Sequence, residues 1–275
     1  MLLTSIIDAK EHRDVAIIDI PNAFIQTVIE DNKDRGIMRI RGHMVDVLVK
    51  VAPTVYGPYV STDKLGRKQL LVECLNAIYG TIVASLLYYR KFTRSLKNQG
   101  YIMNPYDPCV WNKVIRGSQI TICFHVDDCK VSHKSACAVD DAIKWLRRDY
   151  KSIFKDGSES MTVHRGRVHK YLGMTIDYSS RGLAKVTMTD YVKDIVSAWD
   201  KAAVEHDDGF KTVVRKSSGK ATAAPSNLFV VDEEAMKLSA PLKAAFHNVV
   251  AKALYVAKRA RPDIAVAISF LTTRV

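Results

Sequence analysis

The sequence lacks the features that mark disulfide-stabilised, zinc-thiolate and membrane-spanning proteins. Its five cysteines are odd in number and none is spaced as Cys-x-x-Cys, so they are expected to be reduced thiols packed as small hydrophobes. No apolar run approaches the ~20 residues that a membrane-spanning helix needs. The N-terminal segment is too short for a secretory signal and lacks its basic leader. We therefore expect an intracellular protein that does not contact a membrane.

Acidic residues are also few. Lysine and arginine outnumber aspartate and glutamate by 41 to 29, which gives a net charge of +12. With 275 residues, 48% hydrophobic and 25% charged, the chain has the composition of a globular protein with one large domain or two modest ones. This composition excludes a disordered tail and a fibrous protein. The excess positive charge favours a polyanionic partner, most often nucleic acid.

The basic side chains concentrate in two stretches, at residues 90–97 and 144–170. Those expected to contact a nucleic-acid backbone are Arg90, Arg94, Lys144, Arg147, Arg148 and Lys151. A charge run is usually only the solvated face of a helix. The net charge makes a track along a duplex the preferred interpretation.

The hydrophobic pattern predicts strands and hairpins that alternate with amphipathic helices, which is typical of an α+β fold with an antiparallel sheet and helices on one face. The predicted strands and hairpins are residues 14–20, 37–51, 109–115 with 118–126, and 169–177 with 183–188. The predicted helices are residues 81–99, 139–150, a helix from Thr189, 246–257 and 263–273. Residues 55–67 are expected to be a surface connection, and residues 205–227 a polar linker.

Three aspartates follow apolar strands. Asp127 and Asp128 come directly after the run Phe124-His125-Val126, and Asp19 lies at the end of another strand. If the strands are neighbours, the carboxylates converge, which is repulsive unless cations bind. Two Mg²⁺ ions about 4 Å apart are the usual solution, and they support phosphoryl or nucleotidyl transfer. The alternative is that both motifs are ordinary solvated turns.

Six short motifs occur in an order that resembles the reverse transcriptase domain of copia-type LTR retrotransposons. They are residues 19–24 (Asp-Ile-Pro-Asn-Ala-Phe), 75–80 (Leu-Asn-Ala-Ile-Tyr-Gly), 104–111 (Asn-Pro-Tyr-Asp-Pro-Cys-Val-Trp), 124–128 (Phe-His-Val-Asp-Asp), 171–176 (Tyr-Leu-Gly-Met-Thr-Ile) and 257–265 (Ala-Lys-Arg-Ala-Arg-Pro-Asp-Ile-Ala). Each is weak alone, but together they are distributed along nearly the whole chain. His125 departs from the tyrosine usual in this family.

The resemblance implies a role for particular residues. Asp19 and Asp127 would hold two Mg²⁺ or Mn²⁺ ions. Asp128 would support these two aspartates, and the Ile20 carbonyl would be a neutral ligand of the ions. Phe24 would lie beneath the incoming sugar, and Tyr79 and Gly80 would line the nucleotide and template pocket. Leu172 and Gly173 would form the primer grip. Phe24 is equally consistent with a core aromatic, and Gly173 with relief of crowding in a strand.

The resemblance also implies an architecture and partners. Residues 1–178 would form a polymerase palm with partial fingers, and residues 179–275 a helical, thumb-like region with a flexible loop at about 205–227. The fingers segment that grips the triphosphate and the RNase H domain are missing, so a fragment of a Gag-Pol-type polyprotein is expected. Its partners would be an RNA or DNA template-primer duplex, deoxynucleotide triphosphates, integrase and RNase H. The expected location is the cytoplasm, in a virus-like particle, and the nucleus.

Two other functions stay open. A non-catalytic nucleic-acid-binding remnant would account for the missing fingers segment and for the substituted stretch at residues 81–86. A two-metal nuclease on an unrelated fold would also use the carboxylates, but it needs neither Phe24 nor the Leu172-Gly173 pair.

Overall fold

A computed structural model describes residues 2–30, 35–151, 161–206 and, towards the C-terminus, 223–224, 227–231, 234 and 237–275. The chain divides into two compact units, which are Arg13–Arg165 and the combination of Met1–His12 with Gly166–Val275. No helix in these described ranges combines the length and apolarity needed to cross a membrane.

The elements mix helices with antiparallel strands, so the predicted α+β class is confirmed. In chain order they are α1 (Leu2–Lys10), β1 (Asp14–Asp19), β2 (Ile37–Arg41), α2 (His43–Val51), α3 (Pro53–Tyr56), β3 (Ser61–Thr62), β4 (Lys68–Glu73), α4 (Ala84–Asn98), β5 (Ile102–Met103), β6 (Val110–Ile115), β7 (Ser118–His125), β8 (Asp128–His133), α5 (Ala136–Asp149), β9 (Thr162–Arg165), β10 (Val168–Tyr171), β11 (Met174–Asp177), β12 (Lys185–Thr187), α6 (Thr189–Glu205), α7 (Ala240–Ala257) and α8 (Ala265–Leu271). Short 3₁₀ helices occupy Gly57–Tyr59, Pro262–Ile264 and Thr272–Arg274.

The unit Arg13–Arg165 is built on a six-stranded antiparallel sheet in the order β5-β6-β7-β8-β1-β9. Alternate side chains of β1, β7 and β8 enter one hydrophobic core, which Tyr88 and Phe92 of α4 and Ile143 and Leu146 of α5 complete. Two helices therefore cover one face of the sheet, as the sequence predicts. This core fixes the strand ends that carry the aspartates.

A second sheet in the same unit has the order β2-β4-β3. The prediction of one β region over residues 37–51 is wrong beyond Arg41, because the chain leaves the strand at Gly42 (φ 62°) and continues as α2. Val45 of this helix and Leu70 of β4 are both fully buried. Part of the predicted surface connection at residues 55–67 is also ordered, as a 3₁₀ helix and the strand β3.

Two-residue turns with left-handed backbone join several strands. Arg116 and Gly117 have φ of 51° and 73° and connect β6 to β7, so the predicted hairpin is confirmed. Leu172 and Gly173, with φ of 49° and 71°, connect β10 to β11. The single strand predicted over residues 169–177 is therefore two strands, and the second pairs with β12 as predicted.

The other unit contains the sheet β10-β11-β12 and the helices α6, α7 and α8. Aromatic pairs link α6 to α7: Trp199 to Phe246 with ring centroids 6.2 Å apart, and Tyr191 to Tyr255 at 5.5 Å. The helix predicted from Thr189 is confirmed. Most of the linker predicted at residues 205–227 lies outside the described residues.

The division between units differs from the boundary predicted after residue 178. The chain changes unit between Arg165 and Gly166, and β11 and β12, on either side of residue 178, pair in one sheet. Hydrogen bonds across that predicted boundary keep both strands in the same unit. The assignment of these parts to palm, fingers and thumb stays a prediction.

Candidate active site

The candidate site begins where two neighbouring strands end. Asp19 is the last residue of β1, and it lies directly opposite Asp128, the first residue of β8. Residues opposite each other in an antiparallel pair point to the same side of the sheet. The preceding pair, Ile18 and Cys129, enters the hydrophobic core. Asp19 and Asp128 therefore lie side by side on the face away from the core.

Asp127 lies in the tight turn between β7 and β8. The turn has only two residues, Val126 and Asp127, because His125 pairs with Asp128. The backbone N–H of Ile20 donates to the Asp127 carbonyl at 3.2 Å, which ties this turn to the end of β1. Val126 has φ of 56°, a left-handed conformation that costs a β-branched residue about 1–2 kcal/mol. Such strain is concentrated at functional sites.

The three carboxylates are electrostatic neighbours. Burial raises the pKa of Asp19, and the charge of Asp127 raises it further, whereas His164 lowers it. Burial likewise raises the pKa of Asp128, followed by the charges of Asp127 and then Asp19, with His125 acting in the opposite direction. The fold thus brings together the three aspartates that the sequence singled out.

Whether these carboxylates hold metal stays a prediction. Among the described residues, no group of three or more His, Cys, Asp or Glu side chains could hold a metal ion. Mg²⁺ commonly takes only one or two protein carboxylates and completes its coordination with water and substrate phosphates. Asp19, Asp127 and Asp128 fit such an ion, because their charges repel one another and their carboxylate oxygens are suitable ligands.

An aromatic pair adjoins the carboxylates. The rings of Phe24 and Tyr79 have centroids 4.5 Å apart, and Phe24 also contacts Tyr88 edge-on at 5.9 Å. Tyr79 is 47% exposed, whereas Phe24 is 9% exposed and belongs to the core. Burial and the charges of Asp127 and Asp19 raise the pKa of Tyr79, while backbone hydrogen bonds from Phe24 and Ala23 lower it. Phe24 is therefore both a core residue and the support of an exposed ring beside the site.

The two remaining predicted residues of this region offer backbone rather than side chains. The side chain of Ile20 is fully buried, so only its backbone is available to a ligand. Gly80 has φ of 89°, and a methyl group placed on it would meet no atom within 4 Å. Its conformation, not lack of space, accounts for the glycine. Their roles with nucleotide or template stay predictions.

The predicted primer grip, Leu172 and Gly173, belongs to the other unit. The Tyr255 hydroxyl of α7 donates to the Leu172 carbonyl at 2.7 Å, and the Arg259 guanidinium lies 3.5 Å from the Tyr255 ring centre. A methyl group on Gly173 would lie 3.4 Å from the Tyr191 ring. Sequence reasoning missed Tyr191 and Tyr255, because no local pattern links two helices to a distant turn.

The predicted backbone-binding residues are exposed, five on α4 and α5 and Lys151 just after α5, but several are paired. Arg94 bonds Glu30 at 2.9 Å, Lys144 bonds Asp141 at 3.4 Å and Arg148 bonds Asp149 at 3.3 Å. Arg90, Arg147 and Lys151 are exposed as well. Exposed pairs of this kind are worth little and exchange readily for other partners, so these side chains stay candidates for phosphate contact.

Lys91 departs from the expectation of a basic helix face. Its ammonium group donates to the Gln26 carbonyl at 2.6 Å and lies 4.8 Å from the Tyr150 ring centre. Burial lowers the pKa of this lysine. The Lys91 side chain therefore connects α4 to the loop at residue 26, and its ammonium group does not point towards a ligand at the surface.

Comparison with known proteins finds one curated relative and several distant structures. The chain matches no protein-family profile. It is 26% identical over 200 residues to a protein assigned to transposon Ty5-1 of Saccharomyces cerevisiae, YCL074W, and the match covers 73% of this chain and 57% of that protein. The chain therefore spans less than two thirds of the length of this relative.

Solved telomerase structures give weaker matches. Telomerase from Candida tropicalis in complex with a TWJ fragment of telomeric RNA aligns with 99% of this chain and 40% of its own, at 8% identity and a TM-score of 0.39. The complex from Candida albicans aligns with 73% of this chain and 38% of its own, at 9% identity and a TM-score of 0.35. At these TM-scores the likeness does not establish a shared fold.

Proposed function

We propose that this chain is a reverse transcriptase fragment of a copia-type LTR retrotransposon polyprotein, which extends a DNA primer on an RNA template. The observation that carries the proposal is the meeting of Asp19, Asp127 and Asp128 at the ends of β1 and β8. The similarity to a protein assigned to transposon Ty5-1 supports the retrotransposon origin. The six ordered motifs supply the family.

In this proposal Asp19 and Asp127 hold two Mg²⁺ or Mn²⁺ ions, with Asp128 beside them and the Ile20 carbonyl as a neutral ligand. When bound, the ions activate the attacking hydroxyl and stabilise the leaving oxygen of an in-line displacement. The site suits cations because, among the described residues, no lysine or arginine contributes to the pKa shifts of Asp19 and Asp128.

The remaining site residues position the substrates. The Tyr79 ring, backed by Phe24, offers a flat surface beside the carboxylates on which the sugar of a deoxynucleotide triphosphate rests. A 2′-hydroxyl would clash with this aromatic surface, which Phe24 supports, so the site prefers deoxynucleotides. Gly80 leaves open space for the template, and the Leu172-Gly173 turn places the primer end.

The partners and location are part of the same proposal. The duplex of template and primer lies along the basic side chains of α4 and α5, and the integrase and RNase H regions belong to the rest of the Gag-Pol-type polyprotein. Such a protein works in cytoplasmic virus-like particles and in the nucleus.

Primer extension tests the activity. On an RNA template with Mg²⁺ or Mn²⁺, we expect Asp127→Asn to lower extension at least about 100-fold. Loss of a residue that only supports a metal ligand already lowers activity by up to about 100-fold, and loss of the ligand itself should lower it at least as much. Asp200→Asn, which removes an exposed carboxylate of α6, serves as the matched control and should retain activity. Equal extension by the wild type and Asp127→Asn would discard the metal assignment.

A second function is favoured by one observation. The stretch at residues 81–86 departs from the pattern of the family, and a catalytically inactive nucleic-acid-binding remnant would account for this departure. It predicts salt-sensitive duplex binding with no nucleotide incorporation by any variant, whereas the polymerase predicts incorporation that depends on Asp127.

A further inference from the structure

The three-stranded sheet carries a basic cleft that the proposed active site does not use. The cleft has a volume of about 390 Å³, and its lining includes Arg39 and Arg41 of β2, Gln69 of β4, and Asp63, Lys64 and Arg67 of the connection between β3 and β4. We refer to these six residues as the basic cleft. Four of the six are cationic and one is anionic, so the cleft is strongly positive.

The one carboxylate in the cleft is already occupied. Asp63 accepts hydrogen bonds at 2.9 Å from the backbone N–H groups of Leu65 and Arg67 and from the Arg67 side chain. These contacts hold the pKa of Asp63 down to about 2, so it is ionised at neutral pH. Its negative charge therefore interacts with the loop backbone and with Arg67. Asp63 therefore does not compensate the positive charge of Arg39, Arg41 and Lys64.

The two strand arginines point away from the helix that covers this sheet. Lys68 of β4 bonds Asp46 of α2 at 2.7 Å, so α2 lies on the face that Lys68 presents. Side chains alternate along a strand. Gln69, one residue further, and its cross-strand partner Arg41 therefore lie on the opposite face, with Arg39 two residues along. Both arginines are exposed.

Their spacing fits a chain of anions better than a single one. Residues two apart on a strand are separated by about 6.6–6.8 Å, so Arg39 and Arg41 form a short row of guanidinium groups. Within the described ranges, neither they nor Lys64 pair with a carboxylate. Guanidinium groups bind phosphate oxygens in a bidentate manner, which an ammonium group cannot match.

The cleft also contains an unsatisfied polar group. The side-chain oxygen of Gln69 is buried and has no hydrogen-bond partner among the described residues. A buried acceptor without a partner destabilises the structure. A sugar hydroxyl from a ligand in the cleft would satisfy it.

We propose that the basic cleft binds the phosphodiester backbone of a nucleic acid, with successive phosphates on Arg39 and Arg41. The inference deepens the proposed function, because it gives the nucleic-acid substrate a contact outside the carboxylate site. It rests on that function only in the identity of the ligand. Arg39, Arg41 and the clamped loop at Asp63 are its physical basis.

The salt dependence of binding tests the proposal. Fluorescence anisotropy with a labelled RNA–DNA duplex, in EDTA so that catalysis plays no part, gives the dissociation constant between about 50 and 200 mM salt. Each phosphate contact contributes about 0.9 to the slope of log affinity against log salt. We expect Arg39→Gln/Arg41→Gln to lower that slope by about 2, and each single variant to lower it by about half as much.

Matched variants separate this contact from general charge and from folding. Lys10→Gln/Lys50→Gln removes two exposed charges in the last turns of α1 and α2, outside the cleft, and should leave the slope within error of the wild type. Arg39→Lys/Arg41→Lys keeps the charges and should retain most of the slope. Circular dichroism checks that each variant is folded. Equal slopes for the cleft and control variants would overturn the proposal.

Two further measurements identify the ligand and test whether its binding is independent of catalysis. A free deoxynucleotide triphosphate that displaces the duplex from the wild type at equal concentration would assign the cleft to a nucleotide and overturn the backbone contact. Asp200→Asn, which removes a carboxylate outside the cleft and the carboxylate site, should keep the wild-type slope. A protein that binds in this way but does not extend primers would refute the polymerase and leave the cleft in place.

Discussion

The facing carboxylates of Asp19 and Asp128 determine how the candidate site responds to pH. The pKa of each is raised from an ordinary value of 3.8, by burial and by charges that include that of Asp127. A raised pKa means that the folded state holds the proton more tightly than the unfolded chain does. The stability this provides is complete below the ordinary pKa and is lost as pH rises through the raised one. At neutral pH the site therefore contains an unrelieved repulsion.

Replacement of Asp128 by asparagine should stabilise the metal-free protein. Asp128→Asn removes one of three neighbouring charges, and solvent screening limits the gain to about 0.5 kcal/mol. That corresponds to a rise of about 1–2 °C in the melting temperature at neutral pH. Thermal unfolding in EDTA, measured from pH 3.5 upward, should show the advantage growing with pH.

A control of opposite sign is available in the same chain. Hydrogen bonds from the Ser179 side chain and from the Ser179 backbone N–H, the latter at 2.7 Å, lower the pKa of Asp177, so Asp177→Asn should destabilise at neutral pH. Mg²⁺ should raise the melting temperature of the wild type and have little effect on Asp19→Asn. An Asp128→Asn protein that melts below the wild type at neutral pH would contradict the electrostatic account.

At the residue scale, sequence reasoning found the side chains that local motifs mark. Asp19, Asp127 and Asp128 follow apolar strands, and their convergence depends only on β1 and β8 being neighbours. No local motif identifies Tyr255 or Arg39, because the residues that surround them are distant in sequence. Which residues become their neighbours depends on how helices and hairpins pack. Proximity of this kind is a property of register and packing, not of spacing along the chain.

At the element scale, turn chemistry explains the misplaced strands. The pair Leu172-Gly173 adopts left-handed backbone at both positions, although leucine is unfavourable there and asparagine is the usual residue. A pattern search sees a continuous β-rich run and misses the turn. Residues 43–51 were missed for a related reason, since valine-rich segments are typical of strands and packing against β4 favours a helix instead.

The contact between α7 and the Leu172-Gly173 turn yields a prediction for this element pair. Tyr255→Phe removes the hydroxyl that donates to the Leu172 carbonyl at 2.7 Å. We expect a loss of about 1 kcal/mol in the free energy of unfolding, the usual net worth of a hydrogen bond. Chemical denaturation with an unchanged m-value would measure it.

Tyr191→Phe is the matched control for that substitution. Tyr191 lies on α6 with its ring 5.5 Å from that of Tyr255, and no hydrogen bond is recorded for its hydroxyl among the described residues. Its removal should change stability by less than about 0.5 kcal/mol. Equal losses for the two variants would show that ring packing, not the Leu172 carbonyl, determines the effect.

At the scale of the whole molecule, composition and hydrophobic pattern were sufficient to predict the fold class but not the division of the chain into two units. An antiparallel sheet with two helices on one face follows from alternating and helical periodicities. The boundary at Arg165 and Gly166 could not be predicted, because no glycine- or proline-rich linker marks it and β9 and β10 are separated by only two residues. The unit that contains Gly166–Val275 also includes Met1–His12, from the other end of the chain.

The cysteines provide a test of the larger sheet and of the unit Arg13–Arg165 in which all five lie. All five are free thiols: Cys137 is exposed, Cys74 and Cys109 are intermediate, and Cys123 and Cys129 are buried in adjacent strands of the six-stranded sheet. Burial raises the pKa of Cys129 well above its usual range, which suppresses the reactive thiolate. With Ellman's reagent we expect one fast thiol in the native protein and five after unfolding in guanidinium chloride. Cys137→Ser should remove the fast phase alone, whereas fast reaction of Cys123 or Cys129 would contradict the sheet.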